Sequence, residues 1–185
     1  MALYTGKGDA GTTKLFDTPS GERVPKSSPI FEALGTVDEL NTTVGWCRVG
    51  CGVDWMVGDR TMSAILLDVQ NHLFTIQAEL AGAGKHIPAT HVTDIEIRIA
   101  IIEEQLPEIT TFFVPGGTEL SARLDMARAV SRRAERRLVE LSADERALSE
   151  HTLKYANRLS SLLYALVRFV NHKVGSHEQP PEYAS

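Results

Sequence analysis

The sequence predicts an all-α protein, a five-helix antiparallel bundle preceded by an ordered N-terminal loop, and three observations carry that prediction. Five separate segments repeat apolar residues at three- and four-residue steps, the period of one helical face. Sustained strand-like alternation is almost absent, with no internal repeat and no low-complexity tract. The 185 residues suffice for one good core and not for two ordinary domains. Residues 1–175 therefore read as a single domain, with 1–26 as its loop and 176–185, SHEQPPEYAS, as a disordered tail.

Within residues 1–26, rich in Gly, Thr, Lys and Asp, no period is sustained, and a short extended piece is expected at Leu3-Tyr4. Gly6, Gly8 and Gly11 match G-x-G-x-x-G, but a dinucleotide fingerprint follows a strand and opens a helix, and no G-K-[ST] completes a P-loop. Two readings stand side by side: a flexible arm, or backbone N–H groups with Lys7, Thr12 and Thr13 arranged for phosphates.

Helix one spans Ser28 to about Val49, with Phe31, Leu34, Val37, Leu40, Val44 and Cys47 on one face and Pro29 in the first turn. Asp38, Glu39 and Asn41 stand beside that stripe, where a plain helix needs no polar group. Gly50 to Gly58 reads as loop. Helix two runs from Asp59 to Leu80 and ends at Gly82 and Gly84. Residues 93–106 alternate at Ile95, Ile97 and Ile99 as a strand would, yet Ile95, Ile99, Ile102 and Leu106 also share a helical face. Thr93 with Glu96 forms a capping-box pattern, which decides for helix.

The fourth helix follows the aromatic pair Phe112-Phe113 and the turn Pro115-Gly116-Gly117, with Thr118 or Ser121 able to cap it. Leu120, Leu124, Ala127, Ala134, Leu138 and Leu141 form its stripe. At about 100° per residue, Arg128, Arg132 and Glu135 fall on a narrow arc bordering that stripe, while Arg133, Arg136 and Arg137 point further round. Such a cluster is either a solvated basic face with i,i+3 and i,i+4 pairs or a fork of donors for phosphate oxygens. The fifth helix, Ser149 to about Val174, carries Leu153, Ala156, Leu159, Leu163, Leu166 and Val170, with Asn157 and Arg158 beside them and Gly175 at its end.

Composition narrows the function. Hydrophobic residues at 43% and charged residues at 23% are ordinary for a soluble protein, and a net charge of −5 argues against general nucleic-acid binding, so any basic site is local. No apolar run reaches bilayer length, and MALYTGKGDAG lacks the apolar core of a secretory signal, so a cytoplasmic protein is expected. Cys47 and Cys51, spaced C-x3-C on a helix without a second ligand pair, read as buried or half-buried thiols. The six histidines include no E-x-x-H pair, which counts against a ferritin-like di-iron bundle.

Four blocks in order, YTGKGDAGTT, RVPKSSPIFEALGTVDELN, FFVPGGTELSARLDMARAVSRRAERR and KYANRLSSLLYALVR, cover nearly the whole chain and resemble the PduO-type ATP:cob(I)alamin adenosyltransferases. The resemblance implies a homotrimer of five-helix bundles with ATP and the corrinoid bound between neighbouring subunits. It implies transfer of the 5′-deoxyadenosyl group of ATP to cob(I)alamin, giving adenosylcobalamin and triphosphate. The competing implication is a non-catalytic carrier of adenosylated corrinoid for a B12-dependent enzyme. A cobalamin reductase or flavoprotein and an adenosylcobalamin-dependent enzyme are the expected partners.

By the same resemblance, Thr5, Gly6, Lys7, Gly8 and Thr13 wrap the ATP phosphates, with Lys26 as a point charge. Arg132, Arg133, Glu135, Arg136 and Asn157 complete the nucleotide site, and Mg²⁺ bridges phosphate oxygens with few or no protein ligands. Arg132, Phe112, Arg128 and Asp38 form the catalytic set. Arg128 is expected to pair with Asp38 of an adjacent subunit, the plain alternatives being an intrachain bridge or a solvated acid. Phe112 is expected against the corrinoid, where it excludes water and the lower axial base; without the resemblance, a Phe beside a Phe reads as core. Three positions depart from the common pattern: Gly6 in place of a basic residue, Asp125 in place of a His, and Ser161 in place of an Asp.

Overall fold

The computed structural model describes residues 3–52, 55–144 and 146–183. Two short strands, β1 (Thr12–Thr13) and β2 (Val24–Pro25), pair antiparallel within the N-terminal arm, followed by α1 (Pro29–Val49). A second small hairpin, β3 (Met56–Val57) and β4 (Arg60–Thr61), leads into α2 (Met62–Leu80), then α3 (Ala89–Glu103), α4 (Glu119–Asp144) and α5 (Glu150–Lys173).

Cross-helix contacts fix the direction of each element. Asp38 meets Gln77 and Asn41 meets Gln70, so α1 and α2 are antiparallel. Glu32 meets Arg137 and Glu39 meets Arg133, so α1 and α4 are too. Arg158 reaches Glu96 while Arg168 reaches Pro107, so α3 runs parallel to α5. That one parallel neighbour follows from the odd helix count: in an up-down succession, the third and fifth helices point the same way. The core is a single cluster in which Val37, Leu66, Ile102, Leu124, Leu138, Leu163 and Phe169 are fully buried.

Local chemistry explains the boundaries. Thr61 caps α2 by accepting from the Ala64 N–H at 3.2 Å, because Asp59–Thr61 turns through Gly58 (φ +61) into β4 rather than starting the helix. α3 begins four residues before the Thr93 start expected from sequence, with Pro88 at its N-cap. Thr93 therefore lies inside the helix, its hydroxyl donates to the Ala89 carbonyl, and the expected capping box does not form. Ile95 and Ile102 are buried while Ile97 is exposed, which is a helical face. Leu3 and Tyr4 are exposed and unpaired in strand terms, and the arm's extended pairing lies instead at β1 and β2. Ser149 caps α5 through the Thr152 N–H at 3.1 Å, and Glu79 of α2 accepts from the Ser149 N–H at 2.6 Å.

Cys47 is buried and Cys51 half-buried, with no disulfide between them, and burial pushes the Cys47 thiol up to about 12 and the Cys51 thiol up to about 11. A cavity of about 300 Å³ lies between α2, α3 and α5. There His72 stacks on His91 with centroids 3.9 Å apart and hydrogen-bonds the buried Tyr155 hydroxyl at 3.0 Å. The tail expected to be disordered is tied down at its start. Glu178 pairs with Arg168 at 3.2 Å, and the Gln179 carbonyl accepts from the Val114 N–H at 2.8 Å.

Candidate active site

The geometry of the site begins at the turn before α4. Thr118 caps the helix through the Ser121 N–H at 3.0 Å, and the Ser121 hydroxyl accepts from the Thr118 N–H at 2.7 Å. The Gly116 carbonyl accepts from the Ser121 hydroxyl at 3.0 Å and from Asn171 Nδ2 at 3.1 Å, so α4 and α5 both grip the turn. Gly117 (φ +114) needs glycine twice over: L side chains avoid that conformation, and a Cβ would come within 2.5 Å of Asn171 Oδ1.

This knotted turn presents the aromatic pair. Phe112 is 79% exposed and faces a cleft of about 440 Å³, so it is not a core residue. Phe113 sits under the Arg168 guanidinium, 5.5 Å from its ring centroid. Arg128 and Arg132 of α4 line the same cleft, with Ser161 and Tyr164 of α5. Burial raises the Tyr164 phenol above its ordinary value. Arg132 also belongs to a second groove of about 420 Å³, shared with Glu135, Arg136 and Val139 along α4. One guanidinium thus stands between an aromatic-walled cleft and a groove with a second arginine, and among the described residues neither Arg132 nor Arg136 has an ion-pair partner.

The neighbouring charged and polar residues of α4 and α5 have partners within the chain. Arg133 pairs with Glu39 of α1, and Arg137 with Glu140 and Glu32. Asn157 Nδ2 donates to Glu135 at 2.6 Å, which joins α5 to the groove. Within one chain Arg128 does not meet Asp38. Its Nε–H donates to Asp125 at 3.0 Å, while exposed Asp38 accepts from Gln77 at 3.2 Å.

The arm is shaped by a residue that sequence reading passed over. Arg23 donates to the Lys7 carbonyl at 2.8 Å, to the Thr12 carbonyl at 2.7 Å and to the Thr12 hydroxyl at 2.7 Å. Lys26 donates to the Gly8 carbonyl at 3.0 Å, the Asp9 N–H donates to the Gly6 carbonyl at 3.1 Å, and Thr13 pairs with Val24, so the arm is folded back on itself. The far end is anchored by the Phe16 N–H on the Ala81 carbonyl at 2.8 Å and by Asp17 on Arg146 at 2.7 Å. Among the described residues, no hydrogen bond or ion pair joins residues 3–26 to Arg132, Arg133, Glu135, Arg136 or Asn157 of the same chain.

Arg23 carried a weak signal, its place in the RVPKSS block. Asp125 carried a better one, i,i+3 spacing from Arg128. Glu178 carried none, because its partner is reached only through the tertiary fold.

Comparison with known proteins gives a consistent result. The cobalamin adenosyltransferase family profile matches residues 3–170. The chain is 39% identical over 177 residues to a cobalamin adenosyltransferase of Cupriavidus metallidurans, covering 95% of this chain and 91% of that one. It is 39% identical over 179 residues to the corrinoid adenosyltransferase PduO of Citrobacter freundii, covering 93% of this chain. Here it spans about half the relative's length, 50%. A variant PduO-type ATP:corrinoid adenosyltransferase of Lactobacillus reuteri, complexed with cobalamin and ATP, superposes with a TM-score of 0.85 at 28% identity, over 98% of this chain and 100% of that one.

Proposed function

The chain belongs to the cobalamin adenosyltransferase family, and from that premise we propose that it transfers the 5′-deoxyadenosyl group of ATP to the cobalt of a reduced corrinoid. The observation that carries the reading is the position of Arg132, on the ridge between the Phe112 cleft and the Arg136 groove. On this reading the corrinoid lies against the aromatic wall of the cleft and the polyphosphate lies in the arginine groove. Arg132 then stands beside the point where C5′ of ATP and the corrinoid cobalt come into direct contact.

In the reaction, the electron pair of cobalt(I) attacks C5′ of ATP. A cobalt–carbon bond forms, the C5′–oxygen bond breaks, and triphosphate leaves with the electron pair. Because the metal of the substrate is the nucleophile, the protein needs no general base. Its residues position the partners and stabilise the departing charge. Arg132 and Arg136 supply guanidinium donors to the phosphates, and Glu135 holds Asn157 at the groove. Phe112 presents an apolar face that excludes water and the lower axial base from cobalt, which eases its reduction. Thr5, Gly6, Lys7, Gly8, Thr13 and Lys26 wrap the phosphates, Arg23 holding their loop closed.

We place the site between neighbouring subunits of a homotrimer; among the described residues the arm and these arginines share no hydrogen bond or ion pair within one chain. There Asp38, already exposed, can meet Arg128 of the neighbour, and Arg133 can leave Glu39 for nucleotide. On this reading Mg²⁺ bridges the phosphate oxygens of ATP, with few or no ligands from the protein. No helix among the described residues is long and apolar enough to cross a membrane, and a cytoplasmic enzyme served by a reductase and supplying an adenosylcobalamin-dependent enzyme completes the reading.

The test is an anaerobic assay with chemically reduced cobalamin. ATP-dependent conversion to the adenosylated absorption spectrum is expected. Absence of that conversion rejects the enzyme, and tight corrinoid binding without turnover would identify a carrier instead.

A further inference from the structure

We infer that Asp125 is a positioning residue for the transfer proposed above, tying the turn that carries Phe112 to the Arg128 guanidinium. Asp125 is only 6% exposed, and a carboxylate so placed is costly unless both oxygens are partnered. Each has one partner. Oδ2 accepts from the Gly116 N–H at 3.2 Å, and Oδ1 accepts from Arg128 Nε–H at 3.0 Å.

The two partners belong to different walls of one cleft. Gly116 closes the turn that follows Phe112, and Arg128 faces the cleft from α4 with its guanidinium 5.8 Å from the Tyr164 ring centroid. The Gly116 carbonyl is separately held by Ser121 and Asn171, so the turn does not depend on Asp125 alone. What depends on Asp125 is the link. It alone among the described side chains bonds both the turn and Arg128, so displacement of either wall is felt by the other. A carboxylate suits the task because two N–H groups point at it. A side chain with one acceptor and one donor would satisfy one and oppose the other.

The inference rests on the functional reading, and the experiment separates the two. Asp125→Asn keeps the size of the side chain but turns an NH₂ toward one of the two N–H donors. It should fold and bind ATP with an unchanged KM. Its kcat should fall roughly ten- to a hundredfold, the scale of a small misplacement of reacting groups. The spectrum of bound cob(II)alamin should revert toward the form that retains its lower axial ligand, and the Gly116 amide, followed in the protein alone, should exchange with solvent faster. Ser121→Ala is the control, since it removes another tie to Gly116 and leaves Arg128 untouched. The inference is overturned if Asp125→Asn matches wild type in kcat and spectrum, or if Ser121→Ala reproduces its effects in full. A wild-type protein that binds no corrinoid defeats the functional reading, and amide exchange then still decides whether Asp125 holds the turn.

Discussion

Replacing Glu178 with Ala isolates the energetics of the segment beyond α5. Arg168 is 5% exposed and Glu178 18% exposed, so the change leaves a buried guanidinium without its counter-charge. Removing one member of a buried pair costs about 3–5 kcal/mol. Arg168 keeps the Pro107 carbonyl at 3.0 Å and the Phe113 ring, which puts the expected loss at the lower end, about 3 kcal/mol. For a chain of this size each kcal/mol moves the melting temperature by about 2–4 °C, so thermal denaturation followed by circular dichroism should show a fall of about 6–12 °C. Ending the chain after Gly175 should cost at least as much, since it also removes the Gln179 carbonyl from Val114. Combining Glu178→Ala with Arg168→Met removes both charges and should recover most of the loss. A Glu178→Ala protein melting within 2 °C of wild type, or a double variant no better than the single, would refute the argument.

Arg132→Ala should lower kcat/KM for ATP by about a hundredfold, the roughly 3 kcal/mol typical of one lost transition-state donor, in the anaerobic assay; retained turnover would remove Arg132 from the site. Phe112→Ala should leave the melting temperature almost unchanged, because the ring is exposed, yet fail to displace the axial ligand. A bound cob(II)alamin spectrum identical to wild type would contradict its role. His72 governs an acid limb of stability: burial, with help from the His91 charge, lowers it from 6.5 to about 4. The unfolded chain therefore takes up the proton first, so this stability is complete above pH 6.5 and declines as pH falls toward 4. After allowance for solvent screening, about 1 kcal/mol should be lost at pH 5, measurable as a shift in urea midpoint that His72→Gln abolishes.

The helices were legible because their apolar periods are long and uninterrupted, and the arc of Arg128, Arg132 and Glu135 beside the α4 stripe followed from helical geometry alone. The start of α3 was not legible, because a Thr and a Glu three residues apart look like a capping box wherever they fall. Here Pro88 starts the helix earlier, so Thr93 donates to Ala89 instead. The tail misled for a different reason. Polar, proline-containing composition speaks for disorder, whereas the buried Arg168 that captures Glu178 is visible only once α5 is packed. Residue types alone placed Phe112 in the core, and resemblance placed it at a ligand. Its exposure follows from the turn, since Gly116 and Gly117 are fastened to α4 and α5 and leave the preceding aromatic at the cleft mouth.

The arm of a chain and its own arginine helix share no bond among the described residues, and this has a genetic consequence in the proposed trimer. A lesion in the arm and a lesion in the helix disable opposite halves of different sites. Two inactive variants, one of each kind, should therefore regain some activity when co-assembled, whereas two variants of the same kind should not.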